Sequence, residues 1–226
     1  MPVPARLPET ALTVFYLHGF VSSPKSTKVL FFTQMLQQRG VGVRCPDFNE
    51  PDFRSMTMTR MLGQLDAELA SLPATSGPAV LVGSSLGGAL AILAASRFGS
   101  RVDRLVLLAP AVMFGDPDHH LLPREQIDLW RQRGEHEFFH YSRGGPEPLS
   151  YGFYEDSLKY DAFGTLFAQS ALVFQGRRDV LVDANDVEQF ASTRPNVRLT
   201  LLDDDHQLVA SLPRIWSEVQ PFLGLR

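Results

Sequence analysis

The sequence predicts an α/β fold, a mostly parallel sheet of about six strands flanked by helices, and three observations carry that reading. Short apolar runs rich in branched and aromatic residues lack the polar alternation of a half-exposed sheet, which suits strands buried on both faces. Segments with helical apolar spacing fill most of the gaps between those runs. One glycine-rich turn, Gly83-Ser84-Ser85-Leu86-Gly87, joins such a run directly to an alanine-rich helix pattern.

Taken in order, Leu12 to Leu17 is the first strand, and Ser26 to Arg39 reads as a helix that Gly40 is placed to end. Val41 to Cys45 is a weaker strand candidate. The next helix puts Met58, Met61, Leu62, Leu65, Leu69 and Leu72 on one face, with Arg60, Asp66 and Glu68 elsewhere, as expected for a helix laid on a sheet. Ala79 to Val82 is a strand, Leu86 to Phe98 a helix, and Leu105 to Leu108 a strand. Ala171 to Phe174, Asp183 to Ser192, Val197 to Leu202 and Ser211 to Leu223 then continue as strand, helix, strand, helix.

One stretch interrupts the alternation, because about fifty residues from Val112 to Phe163 stand where a short crossover would do. It reads as an insertion in a single domain spanning 1–226. Its aromatics, Trp130, Phe138, Phe139, Tyr141, Tyr151, Phe153 and Tyr154, suit a small cap over a pocket. A decorated crossover that never meets substrate is the alternative.

Composition narrows the function classes. Lys plus Arg total 21 against 25 for Asp plus Glu, which leaves no electrostatic footprint for nucleic acid or an anionic membrane. The strongest apolar stretch, Leu105 to Phe114, contains Pro110 and is too short to cross a bilayer as a helix. A lone cysteine, Cys45, forms no internal disulfide, and the N-terminal MPVPARLPET has no apolar leader core, so a cytoplasmic location is expected.

The turn at 83–87 fits G-x-S-x-G in one register, with Ser85 central; Ser84 is flanked at the pattern positions by Val82 and Leu86 and fails it. Glycines are needed there because a nucleophile on a tight strand-to-helix turn leaves no room for neighbouring side chains. The Leu86 N–H, at the start of the helix, is free to face a developing oxyanion. A serine hydroxyl is a weak nucleophile near neutral pH, so a base must take its proton and a carboxylate must orient that base. In chain order the partners should be serine, acid, histidine. Asp179 follows the Ala171–Phe174 strand, and His206, in Asp203-Asp204-Asp205-His206, follows the last strand. Asp183 is the runner-up acid, but its position suits the cap of the next helix. The second oxyanion donor is expected from the loop after the first strand, His18-Gly19-Phe20-Val21-Ser22-Ser23-Pro24, with the Phe20 N–H as candidate. His18 is expected to hold that loop rather than take part in the chemistry.

A competing motif, His136-Glu137-Phe138-Phe139-His140, matches H-E-x-x-H, which binds zinc only when both imidazoles share one helix face. Gly134 before it and Gly144-Gly145-Pro146 after it leave little room for a helix, and Arg143 stands where the extended pattern has glycine. His119-His120, near Asp116 and Asp118, is read as a solvated loop.

With His18-Gly19-Phe20, the serine turn, Asp179 and His206 in place, the chain resembles the α/β-hydrolase superfamily, and HGFVSSPKSTK with GSSLGG looks like its small bacterial YqiA-like esterases. The resemblance implies a central Ala79 strand, a Ser85-Asp179-His206 triad, no cofactor, and hydrolysis of small carboxylic esters as small-molecule substrates. A thioester or amide would use the same machinery, and a non-catalytic scaffold that binds a ligand is the alternative of another class. Asp205 departs from the glycine that often precedes the histidine, which affects the loop path.

Overall fold

The computed structural model describes residues 12–119 and 122–226. The N-terminal segment on which the leader reading rests, and His120, lie outside the described residues. The framework runs β1 (Val14–Leu17), α1 (Thr27–Gln37), β2 (Val43–Arg44), α2 (Met58–Ala70), β3 (Ala79–Ser84), α3 (Leu86–Phe98) and β4 (Val102–Leu108). An insertion follows, made of α4 (Arg124–Arg133), β5 (Glu135–His140), β6 (Gly145–Ser150) and α5 (Gly152–Ser157). The chain then returns through β7 (Ser170–Gly176), α6 (Ala184–Ser192), β8 (Val197–Leu202) and α7 (Leu212–Phe222).

Six strands form one sheet in the order β2-β1-β3-β4-β7-β8, and every pairing is parallel. The α/β-hydrolase fold expected from the sequence is the one observed, with β3 in the middle of the sheet. The apolar runs lack alternation because both sheet faces are covered, and strand pleating sorts alternate residues to the two sides. Phe15, Leu17, Leu81, Leu105 and Leu107 pack with α2, α3 and α6, while Val14, Tyr16, Val80, Val82, Val106 and Leu108 pack with α1 and α7. The α2 stripe read from the sequence is the buried one: Met58, Met61, Leu62, Leu65 and Leu69. No helix among the described residues is long and apolar enough to cross a membrane.

The insertion has internal order that the sequence did not reveal. β5 and β6 pair antiparallel, Glu135 opposite Ser150 through His140 opposite Gly145. Pro146 and Pro148 lack N–H donors, which is tolerable only where one side of a strand goes unpaired, as in this isolated hairpin. The H-E-x-x-H segment is therefore a strand, not the helix that zinc chemistry requires. His140 is fully buried, with Nε2 2.9 Å from Asn49 Oδ1 and Nδ1 3.1 Å from Ser142 Oγ, while His136 packs against the rings of Trp130 and Phe138. Asn49 also donates to the Ser22 carbonyl at 2.8 Å, which ties the hairpin to the loop after β1. Asp156 of α5 accepts from the Thr59 N–H and hydroxyl at 2.8 and 2.6 Å, fastening the insertion to the start of α2.

Candidate active site

Ser85 sits between β3 and α3 with φ 53° and ψ −117°, a left-handed conformation that a non-glycine residue holds only when its surroundings impose it. Its N–H donates to the Leu108 carbonyl at 3.0 Å, and its own carbonyl accepts from Gly88, Ala89 and Ala111. The flanking glycines follow from contact distances. A methyl on Gly87 would stand 2.0 Å from the Leu17 carbonyl oxygen, and one on Gly83 would stand 2.3 Å from the Gly87 oxygen. β1, β3 and α3 thus meet too closely for any side chain, and the turn projects Ser85 over the carboxyl edge of the sheet. Three other non-glycine residues with positive φ, Val21, Ala109 and Leu208, lie in loops at that same edge. Strain among the described residues therefore gathers where the candidate chemistry is.

Asp179 and His206 come from the ends of β7 and β8, and two backbone bonds cross-tie those ends, Arg177 N–H to the Leu202 carbonyl at 2.8 Å and Arg178 N–H to the Asp204 carbonyl at 3.0 Å. Asp179 Oδ2 lies 2.8 Å from His206 Nδ1, with the carboxylate fully buried and the imidazole 12 % exposed. Oδ1 accepts from the N–H groups of Leu181 and Val182, each at 2.9 Å, and Oδ2 also accepts from Gln175 Nε2 at 2.9 Å. Burial pushes the Asp179 carboxyl up, but the His206 bond and the two backbone N–H groups outweigh it and hold it below the usual carboxylate range. An ionised carboxylate on Nδ1 fixes the tautomer that leaves Nε2 free to accept a proton. Asp183, the runner-up, caps α6 by accepting from the Asn185 N–H at 2.9 Å.

Ser85 and His206 line the same cavity of about 1090 Å³, without a direct hydrogen bond between them. Phe20 and Leu86 line it too. The Leu86 N–H stands at the first position of α3, where no preceding helical carbonyl is in place to accept it. The Phe20 ring is held among Phe53, Phe138 and Phe153, with centroids 5.7, 5.0 and 5.5 Å away. The ring of His18 is spent on structure: Nδ1 donates to the Gly19 carbonyl at 2.9 Å and Nε2 accepts from the Phe48 N–H at 3.0 Å. Those two bonds fix the path of the loop carrying Phe20. One wall of the cavity is apolar, with Met113, Phe114, Ile127, Trp130, Phe138 and Phe153 from the crossover and insertion. The lining also includes the polar residues Ser23, Lys25, Ser26, Thr27 and Lys28. Five of the seven insertion aromatics, Trp130, Phe138, Tyr141, Phe153 and Tyr154, line the cavity.

Two buried polar residues beside the candidate site were not singled out in the sequence. Gln175, fully buried at the end of β7, bridges Asp179 and the Val182 carbonyl, and its only signal was a polar residue ending an apolar run. Lys28, buried in the first turn of α1, was visible as the one charge in an otherwise uncharged helix.

Solved structures share the fold at low identity. Est1E from Butyrivibrio proteoclasticus, with ferulic acid bound, has a TM-score of 0.81 at 18 % identity, covering 98 % of this chain and 92 % of that one. Mouse alpha/beta hydrolase domain-containing protein 10 has a TM-score of 0.77 at 20 % identity, covering 94 % and 89 %. The esterase Pf2001 of Pyrococcus furiosus has a TM-score of 0.69 at 19 % identity, covering 96 % and 83 %. No curated protein matches the chain in sequence. The sequence model of the uncharacterised protein family UPF0227 matches residues 13–222, so this α/β-hydrolase-fold chain belongs to that family.

Proposed function

We propose that the chain is a serine hydrolase that cleaves a small-molecule carboxylic ester through an acyl-enzyme intermediate. The observation that carries this reading is the 2.8 Å pair between His206 Nδ1 and Asp179 Oδ2, whose ring opens onto the cavity that Ser85 also lines. In this scheme His206 Nε2 removes the Ser85 hydroxyl proton as Oγ attacks the ester carbonyl. The N–H groups of Phe20 and Leu86 stabilise the oxyanion, and His206 returns the proton to the departing alcohol. Water, deprotonated by the same imidazole, then releases the acid and restores Ser85. The apolar wall from Met113 to Phe153 holds the hydrophobic part of the substrate. Fold neighbours that carry the name esterase support the reaction class.

Hydrolysis of a panel of p-nitrophenyl esters tests the proposal. The wild-type chain is expected to turn them over in the presence of a chelator, and Ser85→Ala to lose at least ~10³-fold in kcat. Ser84→Ala should stay within a few-fold of wild type. Activity that survives Ser85→Ala, or that vanishes on chelation, would contradict it.

A further inference from the structure

Helix α1 carries one charge among eleven residues, Lys28, and the fold places it poorly for stability. A cation in the first turn opposes the helix dipole, and burial strips an ammonium of its hydration. Lys28 bears both costs at 8 % exposure, and it makes no ion pair within 4.0 Å among the described residues. A position so unfavourable, on the wall of the catalytic cavity, points to a role outside folding.

The Nζ atom reaches the carbonyl oxygen of His206 at 3.4 Å. Asp179 faces it from the loop after β7, Asp204 and Asp205 face it from the loop after β8, and its own helix contributes no other charge. The loop after β8 is also held by Asp204, which accepts from the N–H groups of Asp205 and Ser211 at 2.8 and 2.9 Å, by Arg178, which donates to the Asp203 and Asp204 carbonyls at 3.0 Å each, and by Asp205, which accepts from the Gln207 N–H at 2.8 Å. Asp179 secures the imidazole of His206, and among the described residues Lys28 is the side chain that reaches that residue's carbonyl. We propose that Lys28 is a positioning residue for the general base, its ammonium anchoring the main chain of His206 while Asp179 anchors the ring. The role rests on the hydrolase reading above. Two anchors on opposite ends of one residue fix where Nε2 stands relative to Ser85, and proton transfer depends steeply on that placement.

The charge on the anchor also sets a pH window. Burial pulls Lys28 down to about 8, against the opposing pull of Asp179, Asp205 and Asp204. The ammonium is present below that pH and becomes a neutral, weaker donor above it.

The experiment compares Lys28→Met, Lys28→Arg and wild type by pH profiles of kcat and KM on a p-nitrophenyl ester, with thermal melts and fluorophosphonate labelling of Ser85. Lys28→Met is expected to lose about tenfold in kcat at pH 7, the scale of a lost charge-assisted bond, with KM little changed. Its melting temperature should not fall, since an apolar side chain replaces a buried charge. Wild type should lose kcat with a midpoint near pH 8. Lys28→Arg, whose guanidinium stays charged, should recover most of the activity and move that limb to higher pH. Lys28→Met with wild-type kcat, or with an unchanged alkaline limb, overturns the role of Lys28 and leaves the hydrolase reading standing. Failure of wild type itself to label at Ser85 overturns the reading and the role together. If Lys28→Met does not fold, the Lys28→Arg profile decides: an alkaline limb that stays near pH 8 rejects the proposal.

Discussion

Replacing Asp179 with asparagine tests how the base is oriented, because the structure says which bonds survive. The asparagine oxygen can keep the Oδ1 position, where Leu181 and Val182 each donate at 2.9 Å. Its amide group must then occupy the Oδ2 position, facing the amide of Gln175 at 2.9 Å and Nδ1 of His206 at 2.8 Å. A donor now faces Nδ1, so His206 must carry its proton on Nε2, the atom that should receive the Ser85 proton. In the general triad scheme this tautomer fault costs ~10⁴-fold in kcat, about 5.4 kcal/mol at ~1.36 kcal/mol per tenfold. Asp183 offers no rescue, since its carboxylate is committed to the α6 cap. Lost hydrogen bonds at a buried site lower stability by about 1–3 kcal/mol, so the assay is run well below the variant's melting temperature. Steady-state ester hydrolysis reads the effect, with Asp183→Asn as the control expected to retain activity. A folded Asp179→Asn within tenfold of wild-type kcat would refute the tautomer argument.

Other perturbations follow from the same geometry. Gly87→Ala would drive a methyl to 2.0 Å from the Leu17 carbonyl oxygen; thermal melts should show destabilisation of about 1–3 kcal/mol or more, with loss of fluorophosphonate labelling. Phe138→Ala opens the apolar wall beside Phe20 and Trp130, and kcat/KM should fall for bulky acyl esters while acetate hydrolysis stays near wild type. Stability should also depend on acid pH. The carboxyls of Asp156, Asp179 and Asp204 all lie below the ordinary carboxylate range in the folded chain. Their contribution is complete above the unfolded value of about 3.9 and is lost as pH falls through the folded values. Burial also holds the His140 imidazole below its usual range, so its contribution is lost as pH falls below about 6.5, and the carboxyl groups add a steeper decline of melting temperature below about pH 4.

Much of this was legible in local patterns. Strands buried on both faces announce themselves as unbroken apolar runs, as in the four inner strands; the two edge strands are partly exposed, and the weak Val41–Cys45 run supplies only Val43–Arg44 to the sheet. The glycines around Ser85 were readable because backbone crowding leaves no substitute for them. Asp179 and His206 could be named from chain order, since this topology delivers strand ends to one edge. The insertion resisted because its hairpin has Pro146 and Pro148 in one strand, which depress any strand signal and are tolerated only at an edge. His140 looked like half of a metal motif because its partner, Asn49, lies far away in sequence. The Lys28 contact has the same cause, since the His206 carbonyl it reaches is brought near only by folding, whereas Gln175 meets Asp179 four residues further along the chain.

The central claim is that Ser85, and not Ser84, takes up the acyl group. Mass spectrometry of the chain quenched in acid during turnover of a p-nitrophenyl ester reads that directly. Trypsin releases Met61 to Arg97, which contains Ser71, Ser76, Ser84, Ser85 and Ser96, and fragmentation places the adduct among them. An acyl mass increment on Ser85, absent in Ser85→Ala and retained in Ser84→Ala, is the predicted result. Turnover with the increment on Ser84, or with Ser85→Ala still accumulating it, would contradict the account.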